Sequence, residues 1–119
     1  VQTRLQALRE LSWERFSALI TASYARQGYS VSSADKSAYD FTLTRDGRVT
    51  LLQCRRWKVN QIGVAPLQAL AGAIASADAY NGICICAGEF SPQAKAFVAG
   101  KPIALVSGGE LAVLAGKIK

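Results

Sequence analysis

Residues 39–57 decide the fold of this chain, and they read YDFTLTRDGRVTLLQCRRW. Two runs rich in β-branched and apolar side chains, residues 40–45 and 48–56, flank the dipeptide Asp46-Gly47. An Asp-Gly pair between two such runs is a strong hairpin signal, because both residues accept the positive φ angles of a two-residue turn. The stretch therefore predicts an antiparallel β-hairpin.

The segments around the hairpin alternate between helical and strand patterns. Apolar residues recur at helical spacing over residues 11–27, and a short strand pattern follows at 29–33. Beyond the hairpin, the predicted elements are a helix at 67–79, a strand at 83–86, a helix from 91 to about 98, a strand at 103–106 and a terminal helix through 114. The order αβββαβαβα predicts an α/β fold, in which helices flank both faces of a mixed central sheet.

The predicted turn sets the register of the hairpin, because it pairs Arg45 with Arg48. Counting outward places Asp40 opposite Gln53, and alternation along the strand puts Arg55 on the face of Gln53. A carboxylate and an amide oxygen at this spacing can hold a hard divalent cation, and a basic side chain beside them can stabilise charge on a phosphate. The alternative is structural: Asp40 caps a strand and Gln53 pairs with it across an ordinary hairpin. The spacing alone favours the structural alternative.

The composition narrows the chemistry that the chain can perform. No histidine is present among the 119 residues, which excludes Ser-His-Asp and Cys-His catalysis and the common zinc sites. A metal would need oxygen ligands, which favours a Mg²⁺-like ion. The formal net charge is +6 and the pI is about 9.6. This balance favours a polyanionic partner, either nucleic acid or an anionic membrane surface.

Length and residue usage predict a single domain over residues 1–119. A chain that is 50% hydrophobic at this length can build its own core, and no apolar run reaches the ~18 residues of a membrane-spanning helix. The chain starts at Val1 and contains no methionine, which suggests a domain taken from a longer protein, so an upstream membrane anchor would lie outside it. Cys54, Cys84 and Cys86 lie in apolar runs, which is typical of reduced, buried cysteines in a cytoplasmic protein.

The two hairpin strands carry a distinctive signature, YDFTL at residues 39–43 and LQCRRW at 52–57. These stretches, together with LSWERF at 11–16, the pair Gly28-Tyr29 and GEFSPQA at 88–94, resemble in the same order the Mrr-like branch of the PD-(D/E)xK nucleases. In that family an Asp ends one strand and a Gln-x-Lys signature, often Q-C-K-R, lies on the next. The resemblance covers nearly the whole chain and implies the three-layer, restriction endonuclease-like fold.

This resemblance implies an endodeoxyribonuclease that depends on Mg²⁺ or Mn²⁺, acts on double-stranded DNA and uses no small-molecule cofactor. In the implied metal site, Asp40 is the central ligand, Gln53 takes the place of a second acid, and Cys54 contributes its backbone carbonyl. Glu14 matches an accessory acid that helps to orient the metal and its water. Arg55 departs from the pattern, because the family has lysine there, and arginine stays protonated and cannot act as a base.

Further residues near the open end of the hairpin complete the predicted site. Arg56 and Trp57 end the signature, Lys58 follows it and Lys36 precedes it, and we expect these four to contact DNA. For Trp57, stacking on a base and packing in the core are equal alternatives. Because of Arg55, the second functional interpretation is a catalytically degenerate domain that binds nucleic acid or a partner protein without cleavage. A homodimer is left open.

Overall fold

A computed structural model describes residues 7–34, 38–54, 57–59, 61–107 and 111. The predicted site residues Lys36, Arg55 and Arg56 lie outside these ranges, as does the predicted terminal helix apart from Leu111. In chain order the elements are α1 (Trp13–Arg26), β1 (Ser30–Ser33), β2 (Phe41–Arg45), β3 (Arg48–Gln53), β4 (Gln61–Ile62), α2 (Val64–Ala77), β5 (Asn81–Cys86), β6 (Glu89–Phe90), α3 (Pro92–Val98) and β7 (Ile103–Ser107). Over the described residues the predicted order is confirmed, with β4 and β6 as additions.

The hairpin of β2 and β3 forms as the sequence predicts. The two strands are antiparallel with Arg45 opposite Arg48, and the turn residues Asp46 and Gly47 have φ angles of 55° and 76°. Two consecutive positive φ angles give the turn whose twist matches that of the flanking strands. The predicted register is therefore confirmed along the whole of β2.

Five strands form one mixed sheet in the order β1-β2-β3-β5-β7. β1, β2 and β3 are antiparallel neighbours, whereas β3, β5 and β7 are parallel. The parallel pairs follow from the crossovers through α2 and α3, since parallel neighbours need a long connection. β4 and β6 form a separate parallel pair. The sequence did not predict this pair, because two-residue strands carry no readable alternation.

Helices cover both faces of the five-stranded sheet. Side chains alternate along a strand, so Leu52 and Leu51 of β3 enter different core clusters. Leu52 lies in the cluster that contains Phe16 of α1, and Leu51 lies in the cluster that contains Leu67 of α2 and Ala94 of α3. The predicted three-layer α/β arrangement is thus confirmed. Over the described part of the chain, no helix is long and apolar enough to cross a membrane.

Helix α2 begins earlier than the sequence predicts. The sequence predicts a helix over residues 67–79 with Pro66 as a good first helical residue, whereas the helix starts at Val64 and has Gly63 as its N-cap. Proline is tolerated inside the first turn, because the N–H groups there have no acceptor within the helix. The helix then packs closely on β5, where a Cβ at Gly82 would lie 2.8 Å from Ile74 Cδ1. Glycine at this position permits the close approach.

Candidate functional site

Asp40 lies at the open end of the hairpin, one residue before β2. Its backbone N–H donates to the Leu52 carbonyl oxygen at 2.7 Å, and its Oδ2 accepts from the Cys54 N–H at 2.8 Å. β3 ends at Gln53, so the buried N–H of Cys54 needs an acceptor other than the sheet ladder. Asp40 is only 5% exposed. The carboxylate is therefore fixed against the end of β3.

The Gln53 side chain is held at three points. Its Nε2 donates to the carbonyl oxygens of Ala38 at 2.7 Å and Pro66 at 3.0 Å. Its Oε1 accepts from the Cys84 thiol at 3.0 Å. Because only the NH₂ group of the amide can donate to a carbonyl, the two carbonyl contacts determine which side of the amide carries the oxygen. The loop before β2, the first turn of α2 and strand β5 together orient this amide.

Asp40 and Gln53 each hold the backbone beside the other. Gln53 bonds to Ala38, which lies two residues before Asp40. Asp40 bonds to Cys54, which directly follows Gln53. The spacing around Asp46-Gly47 predicts both residues at this end of the hairpin, and the structure places them there. The two side-chain contacts connect the loop before β2 to the end of β3 and limit the motion of either segment.

The sequence pattern does not predict the hydrogen-bond partners of the Gln53 side chain. Cys84 lies opposite Gln53 only because β3 and β5 are parallel neighbours, and Pro66 reaches Gln53 only because α2 starts where it does. Neither contact has a signature in residue spacing, since the segments involved come together through the tertiary fold. The continuous apolar run at residues 83–86 predicts a buried strand, and the structure confirms this burial, but the run carries no sign of the contact between Cys84 and Gln53.

The thiols of Cys84 and Cys86 are buried and protonated at neutral pH. Burial raises the pKa of Cys84 to about 12, and the charges of Cys86 and Asp40 add to this effect. Burial also raises the pKa of Cys86, although a bond from the Gly88 N–H and the charge of Arg9 oppose the shift. A protonated thiol is a weak hydrogen-bond donor and a poor nucleophile or metal ligand. The predicted core position of both thiols is confirmed.

The site carries oxygen donors of the kind that divalent cations bind. Among the residues that the structure describes, no group of three or more His, Cys, Asp or Glu side chains can hold a metal ion. The candidate donors are instead the Asp40 carboxylate, the Gln53 Oε1 and the Cys54 backbone carbonyl. Mg²⁺ and Mn²⁺ accept such hard oxygen donors, with waters and substrate phosphates in the remaining positions. The donor types therefore fit the cation that the resemblance implies.

Trp57 lies in the core and not on the surface. Its ring is 4% exposed and stacks on the Phe16 ring with centroids 4.4 Å apart. Its Nε1 donates to the Leu8 carbonyl oxygen at 2.8 Å. A buried ring offers no face to a base, so Trp57 is corrected from a predicted DNA contact to a core residue. Packing is the alternative that the structure supports.

Lys58 and Glu14 are both exposed. The Lys58 Nζ lies 5.3 Å from the centroid of the Trp57 ring, so its charge lies beside that ring. Glu14 is in the first turn of α1, where the helix dipole favours a negative charge whatever further role the residue has. The predicted roles of these two residues stay predictions, as do those of Arg55, Arg56 and Lys36.

The sheet order and its flanking helices define a restriction endonuclease-like fold, which several solved structures share. The MspJI restriction endonuclease in complex with a 27-mer oligonucleotide is 17% identical, with a TM-score of 0.65 over 92% of this chain. The DNA modification-dependent restriction endonuclease AspBHI is 15% identical, with a TM-score of 0.66 over 95%. AF1548, a protein of unknown function, is 12% identical, with a TM-score of 0.63 over 83%. At these identities the similarity shows the fold alone.

The family is shown by the sequence itself. The sequence model of the restriction endonuclease family matches residues 8–115, and the chain belongs to this family. The resemblance found in the hairpin signature is thereby confirmed, and members of the family usually use divalent metals. The chain spans 66% of AF1548, 30% of MspJI and 34% of AspBHI. A search of curated protein sequences found no significant match.

Proposed function

We propose that this domain binds double-stranded DNA and hydrolyses its phosphodiester bonds with the help of Mg²⁺ or Mn²⁺. The observation that carries the proposal is the buried carboxylate of Asp40, which bonds to the backbone directly after Gln53. Carboxylate oxygens are preferred ligands of Mg²⁺ and Mn²⁺, so a carboxylate fixed at this end of the hairpin supports a cation site here. Membership of the restriction endonuclease family supports the same conclusion.

The proposed ligands are oriented before a cation binds. Asp40 is held by Cys54, and Gln53 is held by three partners, so little conformational entropy is lost on binding. A bound cation would polarise the phosphate and lower the pKa of the attacking water. Arg55 follows two residues after Gln53 and would hold a permanent positive charge beside the scissile phosphate. Glu14 would take the role of the accessory acid that the resemblance implies.

Positive charge supports the binding of DNA. The chain carries a net charge of +6, and Lys58 is an exposed cation beyond the end of β3. We propose that Lys58, Arg56 and Lys36 contact phosphates, which bind lysine and arginine regardless of sequence. The protonated, buried thiols accord with a protein that works in the reducing cytoplasm.

Arg55 favours a second candidate function. Lysine supplies a compact ammonium group that can take part in proton transfer, whereas arginine remains charged and presents a planar fork. A domain with arginine here retains the contact to a phosphate but loses that capacity. The second candidate is therefore a domain that binds nucleic acid or a partner protein without cleaving DNA.

Cleavage of supercoiled plasmid DNA with Mg²⁺ or Mn²⁺ separates the two functions. We expect the wild type to nick or linearise the plasmid and Asp40→Asn to lose this activity, because the amide can still accept from Cys54 but no longer supplies a charge. Asp46→Asn is the matched control: Asp46 is exposed in the turn at the other end of the hairpin, and asparagine tolerates its positive φ. This control should cleave like the wild type.

The substitution Arg55→Lys extends the same assay. Losing one well-placed electrostatic group typically lowers a rate by about 10²–10³, so we expect Arg55→Lys to cleave faster than the wild type. Efficient cleavage by the wild type that Arg55→Lys leaves unchanged would assign the role to another lysine, with Lys58 the first to test. DNA binding without cleavage by the wild type and by Arg55→Lys would establish the second function.

A further inference from the structure

Among the described residues, Cys84 is the one side chain that hydrogen-bonds to Gln53. The other two partners of the Gln53 amide are the backbone carbonyls of Ala38 and Pro66. Gln53 and Cys84 are register partners on the parallel strands β3 and β5, so both side chains leave the sheet on the same face. This register brings the Cys84 Sγ to 3.0 Å from the Gln53 Oε1.

The thiol contact uses only one of the two lone pairs of the Gln53 Oε1. The two N–H groups of the amide are engaged by carbonyls, so the oxygen cannot exchange places with the nitrogen without losing both bonds. With the thiol in place, the second lone pair of Oε1 has a defined direction. Groups that orient a ligand in this way commonly change metal affinity by about 10–100-fold.

We propose that Cys84 is a positioning residue, whose thiol orients the Gln53 amide oxygen toward the cation bound by Asp40. This inference rests on the proposed function, since it assigns Gln53 the role of a ligand. In this role the Cys84 thiol contributes to the site in addition to packing in the core beneath α2. The cysteine itself does not touch the cation.

Cys86 provides a matched control within the same strand. It lies two residues further along β5, belongs to the same core cluster as Cys84 and is equally buried. Its Sγ, however, contacts the Val59 carbonyl oxygen at 3.4 Å and accepts from the Gly88 N–H at 3.2 Å. Removing this thiol disturbs the core to a similar extent but leaves the Gln53 amide with all its partners.

Mn²⁺ binding measured by calorimetry tests the proposal in the wild type, Cys84→Ala, Cys84→Ser and Cys86→Ala. We expect the dissociation constant of Cys84→Ala to rise about tenfold, at the low end of the range because a thiol is a weak donor. Cys84→Ser restores a hydroxyl donor in a side chain of nearly the same size as alanine, so it should return affinity to within about threefold of the wild type. Cys86→Ala should bind like the wild type.

The side-chain NH₂ signals of Gln53 in NMR spectra, assigned by their absence in Gln53→Leu, give a readout that needs no metal. They should shift in Cys84→Ala, return toward wild-type positions in Cys84→Ser and stay in place in Cys86→Ala. If Cys84→Ala does not fold, Cys84→Val replaces it, because valine fills the space of the thiol without a donor.

Two results would overturn the proposal: Mn²⁺ affinity and Gln53 signals unchanged by Cys84→Ala, or a loss of affinity that Cys84→Ser does not rescue. A wild type that binds no Mn²⁺ would instead contradict the proposed function, and with it the role of Gln53 as a ligand. In that case the NMR signals still decide whether Cys84 orients the amide, so the two failures are distinguishable.

Discussion

Replacing Gln53 with glutamate tests the hydrogen bonds of the site most directly. In the metal site that the resemblance implies, Gln53 stands where an acid would otherwise be, so Gln53→Glu restores the acid. The structure predicts that this change costs stability. The Nε2 group donates to the carbonyl oxygens of Ala38 and Pro66, and a carboxylate would face both oxygens with no hydrogen to donate.

The size of the effect follows from these two bonds. A hydrogen bond typically contributes about 0.5–1.5 kcal/mol net, and both carbonyls are only partly buried, so the loss of the two bonds in Gln53→Glu should lower the free energy of unfolding by about 1–3 kcal/mol at pH 8. A domain of this size commonly has only about 5–15 kcal/mol in total. Protonation of the introduced carboxyl returns one O–H donor, and we expect it to recover roughly half of the loss.

The stability that Gln53→Glu loses relative to the wild type should be smaller at low pH than at high pH. Burial and the two carbonyl oxygens raise the pKa of the introduced carboxyl in the folded state above its value of about 4.3 in an unfolded chain. The folded state then binds the proton more tightly than the unfolded state. The stability of Gln53→Glu relative to the wild type is therefore greatest below the unfolded-state pKa and falls as the pH rises through the folded-state pKa.

Urea unfolding at about pH 5 and about pH 8 measures this difference in the absence of metal. Gln61→Glu is the matched control, since Gln61 is an exposed residue of β4, and its stability should follow that of the wild type at both pH values. A Gln53→Glu variant as stable as the wild type at pH 8 would refute the assigned bonds of the Gln53 amide. A loss of equal size at both pH values would refute the argument from protonation.

Three further substitutions test the hairpin turn, helix α2 and the aromatic core. Gly47→Ala should lower the free energy of unfolding by about 1–2 kcal/mol, because Gly47 has a φ of +76° although an added Cβ has open space around it. Gly72→Ala, within α2 and also in open space, should raise the free energy of unfolding by about 0.5–1 kcal/mol. Urea unfolding in which both glycine variants are more stable than the wild type, or both less stable, would contradict this reasoning. Trp57→Phe should lower the free energy of unfolding by about 1–3 kcal/mol, because the indole hydrogen bond is lost and the smaller ring leaves a void. The Leu8 carbonyl oxygen then keeps only the Leu11 N–H at 3.3 Å as a donor. The affinity of Trp57→Phe for double-stranded DNA, measured by fluorescence anisotropy, should stay within about twofold of the wild-type affinity. A large loss of affinity would instead support a DNA contact of Trp57.

The sequence by itself determined the hairpin, its register and the layered α/β order. These features depend on neighbours along the chain: Asp46-Gly47 sets the turn, and alternation along β2 and β3 sets which residues face each other. The register set by the turn also placed Asp40 and Gln53 at the same end of the hairpin, and the resemblance of the hairpin signature then identified the family. Periodicity and turn geometry are local, so no tertiary information was needed for them.

Only the tertiary structure decided which groups hold those side chains. The contact of Gln53 with Cys84 depends on the parallel pairing of two strands separated by a helix. The burial of Trp57 depends on Leu8 and Phe16, which lie more than forty residues earlier in the chain. The position of a residue in the repeating pattern of its own helix or strand indicates which face it lies on. It does not indicate which other segment packs against that face. That choice is made by packing between elements distant in sequence, where shape and hydrogen-bond satisfaction act across the whole core at once.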